Sequence, residues 1–126
     1  MKSILLAAVA ALAIQSGAIS YDDFMKTDAS DRIARFNQIT SENRAEIVKT
    51  HITRWRDANK SELSKDQLAI IEEQLALISP EMYSERRTEE SMQKVRDLAE
   101  RTSKLFTQDQ MIRAFTIRGV YIPTGK

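Results

Sequence analysis

Very few residues in this 126-residue chain are placed to do chemistry. His51 is the sole histidine and there is no cysteine. A neutral imidazole can move a proton or bind a metal, but a metal set needs more ligands at helical or loop spacing. No His-Glu-x-x-His or Glu-x-x-His pattern supplies them. A serine–histidine pair would want a strained nucleophile turn, and no Gly-x-Ser-x-Gly is present. The neighbouring acids Glu72-Glu73 and Glu89-Glu90 could suggest paired-carboxylate work. Adjacent residues on a helix do not face each other, so these read as solvated surface. No glycine-rich phosphate loop occurs. The expectation is therefore a protein without enzymatic activity, metal or cofactor, with His51 a packed or surface residue.

The remaining candidates are contacts. Trp55, Leu63, Phe106, Tyr121 and Ile122 are the bulky residues read as protein-binding, Tyr121 and Ile122 because they fall in a C-terminal tail. Aromatics are few, so Tyr83, Phe115 and most of the others should pack inside. Asn59-Lys60-Ser61 fits a glycosylation acceptor in a eukaryotic secretory route.

The elements that must position these residues follow an export address. Lys2 gives a positive start, Ile4 to Ile14 is apolar, and Ser16-Gly17-Ala18 and Ala18-Ile19-Ser20 offer small residues for a signal peptidase. The run is short for a transmembrane helix. Residues 1–20 are therefore expected to be a cleaved signal peptide, lost after Ala18 or Ser20, with the product periplasmic or extracellular. Lys2 is the sole charge removed, so 18 of the 19 basic residues remain against 18 acidic ones. A neutral chain lacks the basic excess that nucleic acid requires, and the rest of it holds no apolar run long enough for stable membrane insertion. Without cysteines no disulfide framework can support the fold, which leaves helix packing and a possible homodimer.

Residues 21–119 read as a helical domain and 120–126 as an extended tail. The fold class expected is all-α, a small bundle of four to five amphipathic helices. Ser30 can cap a helix with Ile33, Phe36 and Ile39 inward. Thr40 or Ser41 can cap the next, to about Ala58, with Ala45, Ile47, Val48, Ile52 and Trp55 on one face. Ser64 caps a third, striped by Leu68, Ile71, Leu75 and Ile78 and widened by Ile70 and Leu77. Ser79-Pro80 starts a fourth, expected to reach about Leu105, with Met92, Val95, Leu98 and Ala99 in its second half. Thr107 caps a fifth with Met111, Ile112, Phe115 and Ile117 inward, stopped by Gly119. Leu63-Ser64-Lys65-Asp66-Gln67 and Phe106-Thr107-Gln108-Asp109-Gln110 repeat one pattern: apolar residue, hydroxyl, two variable residues, glutamine. That is a capping box, with the apolar residue free to staple onto the first turn.

Two resemblances rest on these segments. From about Phe36 to Tyr83 the chain resembles the bacteriocin fulvocin C-related proteins, through the Ile47-to-Trp55 helix, Leu63-Ser64-x-x-Gln67 and Leu77-Ile78-Ser79-Pro80-Glu81-Met82-Tyr83. This implies a small exported protein that binds other proteins. Fulvocin C itself is cysteine-rich, and this chain is not. The repeated motif also resembles the Leu-Thr-x-x-Gln of the Spy/CpxP periplasmic chaperones, with serine and phenylalanine as departures. That resemblance implies an all-helical, ATP-independent chaperone or stress sensor.

Overall fold

Short polar caps, not glycines, divide the chain into helices. The computed structural model describes residues 18–117 and Val120. Six α-helices occur among them: α1 Tyr21–Lys26, α2 Ala29–Gln38, α3 Ser41–Asn59, α4 Lys65–Leu77, α5 Glu89–Ser103 and α6 Gln108–Phe115. Single 3-10 turns, Lys60–Glu62 and Pro80–Tyr83, follow α3 and α4. The fold is all-α, as the periodicity implies. The described residues contain no strand, only an isolated bridge between Ile117 and Val120. None of their helices is long and apolar enough to cross a membrane.

Each start has a local cause. Thr40 accepts from the Asn43 N–H and caps α3. Ser64 and Gln67 close the reciprocal box on α4, and Thr107 and Gln110 do so on α6. Thr88 and Ser91 form a third box on α5. Each box satisfies two N–H groups that a helix start otherwise leaves open.

The long α3 is the hub, touching α1, α4, α6 and both 3-10 turns, while α5 packs on α4. Ile47, Val48 and Ile52 of α3 are buried with Ile71 of α4, Phe115 of α6, Phe24 of α1 and Ile117. Each such side chain contributes roughly 1.5–3 kcal/mol by leaving water. Phe36 of α2 meets Phe24 and Tyr83 edge-on and joins the end of α2 to this core.

The structure departs from the sequence expectation in several places. The six-residue α1 is an additional helix. It is too short to show periodicity, and its one buried residue, Phe24, fixes it. The stretch from Pro80 to Leu105 is not one helix. Ser84 turns its hydroxyl back on the Glu81 carbonyl and accepts from the Arg86 N–H, and a new cap at Thr88 starts α5. The intervening Glu85, Arg86 and Arg87 are exposed, so no burial holds them helical. The α4 stripe shifts toward its Ile70 side: Ile70, Ile71 and Ile78 are buried as expected, Gln74 joins them, and Leu68 and Leu75 are only half-buried. Ile33 and Ile112, expected inward, are 47% and 54% exposed. On α6, Ala114 and Phe115 take the inner face with Met111 beside them, which turns Ile112 out. Val120, read as the start of a tail, is buried and donates to the Ile117 carbonyl at 2.8 Å. Gly119 and residues 121–126 lie outside the described residues, as do residues 1–17 of the proposed signal peptide.

Candidate functional site

Three places gather chemically distinctive residues. The first is a corner where the two repeated motifs meet. Gln67 closes its capping box through Oε1 and donates from Nε2 to the Leu105 carbonyl at 2.8 Å. The start of α4 is thereby tied to the residue before Phe106. The Phe106 ring stands edge-on to Trp55 at 6.2 Å and to Phe115 at 5.6 Å. Asp66 and Asp109 lie in the first turns of the two helices, where negative charge complements the helix dipole.

This corner places three of the sequence-read binding residues. Phe106 is 7% exposed, so its ring belongs to the core. Trp55 and Leu63 are half-buried and pack against that core. The structure brings Trp55 and Phe106 together, but as a contact against the core, with Trp55 half-buried. Tyr121 and Ile122 lie outside the described residues. Asn59, the glycosylation acceptor read from sequence, ends α3 and donates its amide to the Trp55 carbonyl at 2.8 Å.

The second place surrounds His51. Its Nε2 lies 3.1 Å from the Arg113 carbonyl, which can only accept, so Nε2 carries the proton. Nδ1 is then free to accept from the Tyr21 hydroxyl, 2.5 Å away. Burial pushes the imidazole below its usual pKa, against the opposing pull of the Arg113 and Thr116 carbonyls. Burial also raises the Tyr21 phenol, with Arg54 opposing. The Arg54 guanidinium lies 5.0 Å over the Tyr21 ring and forks onto the Asp22 carboxylate at 2.5 and 3.1 Å. His51 therefore joins α1, α3 and the end of α6. Both of its nitrogens are engaged by the fold. Among the described residues no three His, Asp or Glu side chains group to hold a metal.

The third place is a cleft of about 710 Å³ between α2 and the Pro80–Arg87 segment. Ile33, Phe36, Met82 and Tyr83 supply apolar lining, and Arg44, Glu85, Arg86 and Arg87 supply charge. Arg44 is fixed to the wall. It donates to the carbonyls of Phe36 at 2.8 Å, Asn37 at 2.8 Å and Tyr83 at 3.2 Å. Arg86 and Arg87 are exposed. The arginine ion pairs among the described residues engage Arg54, Arg56, Arg96, Arg101 and Arg113, and leave these two out. The cleft could not be read from sequence, because it forms only where the helix expected after Pro80 breaks. The one signal was Arg86-Arg87 in a polar stretch with no apolar stripe.

Comparisons with family models, curated proteins and solved structures give no match to this chain.

Proposed function

We propose that this is an exported helical protein that acts by binding another protein, without enzymatic activity, and that it is distantly related to the bacteriocin fulvocin C group. The observation that carries the reading is the cleft beside α2. It combines an exposed isoleucine, an apolar floor and two exposed arginines that the ion pairs among the described residues leave out. Apolar floor with cationic rim suits an acidic segment of a partner protein that carries one or two large apolar residues. Two of the residues behind the fulvocin resemblance, Met82 and Tyr83, line the same cleft.

The test uses the mature protein and an R86E/R87E variant, both checked for unchanged melting. Each is immobilised and offered the exported fraction of its own cell. A discrete protein retained by the parent and lost by the variant supports the reading. Retention of the same proteins by both removes the cleft from the account.

A second reading is favoured by the corner where the two Leu/Phe-Ser/Thr-x-x-Gln motifs converge. In a Spy/CpxP-like chaperone this end would present apolar surface to unfolded clients. Phe106 is committed to the core, which favours the first reading. We expect no general suppression of aggregation at stoichiometric ratio. Robust protection of two unrelated denatured clients would reverse the ranking.

A further inference from the structure

Asn43 is 3% exposed and its carboxamide is spent on a single residue. Its Oδ1 accepts from the Ile19 N–H at 2.7 Å, and its Nδ2 donates to the Ile19 carbonyl at 3.0 Å. This two-point reading of one backbone unit reaches 24 residues back along the chain. The neighbouring Ser20 is also used. Its hydroxyl accepts from the Asp23 N–H at 3.1 Å, and its carbonyl takes the first helical bond of α1 from Phe24 at 2.9 Å. Ile19 itself packs against the core, whereas Ala18 is exposed. Among the described residues, Ile19 is the first to pack against the core, two residues ahead of α1.

From this we infer that the Ala18–Ile19 bond is the processing site, and that Asn43 is the receptor for the new Ile19 amino group. The inference rests on the export reading above. Cleavage by a signal peptidase adds one water: the C–N bond breaks, hydroxyl goes to the Ala18 carbonyl and the proton to the Ile19 nitrogen. Ala18 and Ser16 supply small residues at the first and third positions before the cut. The released amine has an ordinary pKa near ~8 and is largely an ammonium at neutral pH. It has three donors. One replaces the amide donor to Asn43 Oδ1, and the others reach water because Ile19 is only half-buried. Hydrogen bonds from a charged donor are shorter and stronger than neutral ones, so cleavage strengthens this contact. Asp22 and Asp23, in the first turn of α1, offset the added charge.

The alternative cut after Ser20 removes both partners of the Asn43 carboxamide, the cap of α1 and the acceptor for Phe24. It would leave a buried carboxamide without its bonds and a positive charge at the first helical position, where the dipole disfavours it.

The full chain, expressed with its own N-terminus and recovered from the exported fraction, is weighed intact by mass spectrometry. A product beginning at Ile19 supports the inference. A product beginning at Tyr21 overturns it while leaving export standing. Retention of Met1 overturns the export reading and the inference together. Purified chains beginning at Ile19 and at Tyr21 are then melted beside an N43A variant of the former. Loss of a cap and of a buried amide's partners should lower Tm by about 10 °C or more for the Tyr21 chain. N43A should fall on the same side. Equal melting of the Ile19 and Tyr21 chains would also overturn the inference.

Discussion

The contact between α4 and α5 contains one buried polar pair, and removing half of it should cost more than removing all of it. Gln74 is 6% exposed and donates from Nε2 to Thr102 Oγ1 at 3.0 Å. Thr102 is fully buried and its hydroxyl donates to the Leu98 carbonyl at 2.6 Å. Thr102→Val keeps the shape but leaves the Gln74 amide donor in an apolar site. A buried donor that loses its partner costs about 1–3 kcal/mol. Gln74→Leu should cost less, because the threonine hydroxyl still has the Leu98 carbonyl. The double variant replaces both polar groups by apolar ones of similar size and should return close to the parent. The expected coupling is therefore about 1–2 kcal/mol, within the range seen for directly contacting residues. For a domain near one hundred residues, the Thr102→Val penalty alone should lower Tm by roughly 4–20 °C. Urea unfolding of the parent, both single variants and the double variant, followed by far-UV circular dichroism, gives the four free energies. Additivity within about 0.3 kcal/mol would refute the argument that the two side chains act as one unit.

Three further outcomes are expected. The His51 imidazole is held below its ordinary pKa, so the unfolded chain takes up the proton first. Stability should then fall as pH drops through the usual imidazole value of about 6.5 and level off below the folded value; His51→Gln should flatten urea midpoints across that window. Ile71→Ala should cost about 2–5 kcal/mol because Ile71 is fully buried, whereas Leu75→Ala, at a half-buried position, should cost clearly less. Ile112→Ser should stay within about 0.5 kcal/mol of the parent, while Phe115→Ala, at a buried position of the same helix, loses about 3–5 kcal/mol. Thermal melts of the four chains decide both comparisons.

Much of this fold was legible because its helix starts are written in short local codes. Ser64/Gln67 and Thr107/Gln110 act over three residues, so the sequence contains all that is needed to read them. The inner face of α3 was legible because isoleucine and valine recur at helical spacing. What was not legible depended on partners far along the chain. Gln74 occupies the centre of a buried face only because Thr102 waits across the interface. Asn43 looks like an ordinary polar helix residue until Ile19 is brought beside it. Ile112 was expected inward but is exposed, because Ala114 and Phe115 take the inner face of α6. Of the sequence-read contacts, Trp55, Leu63 and Phe106 were chosen for size, and size in a chain poor in aromatics points inward. Arg86 and Arg87 lie in a polar stretch with no apolar stripe, and its meeting with Ile33 is a matter of tertiary geometry.

The attachment of α1 has a consequence for the order in which the chain can fold. Six residues are too few to hold a helix unaided. The ties that hold this one run to Asn43, His51 and Arg54, at separations of 24, 30 and 32 residues. A chain delivered N-terminus first therefore presents Ile19 to Lys26 long before any of those side chains has arrived. This stretch can close as a clasp only once α3 is complete past Arg54. The long-range contacts that hold its end therefore wait on the arrival of Asn43, His51 and Arg54.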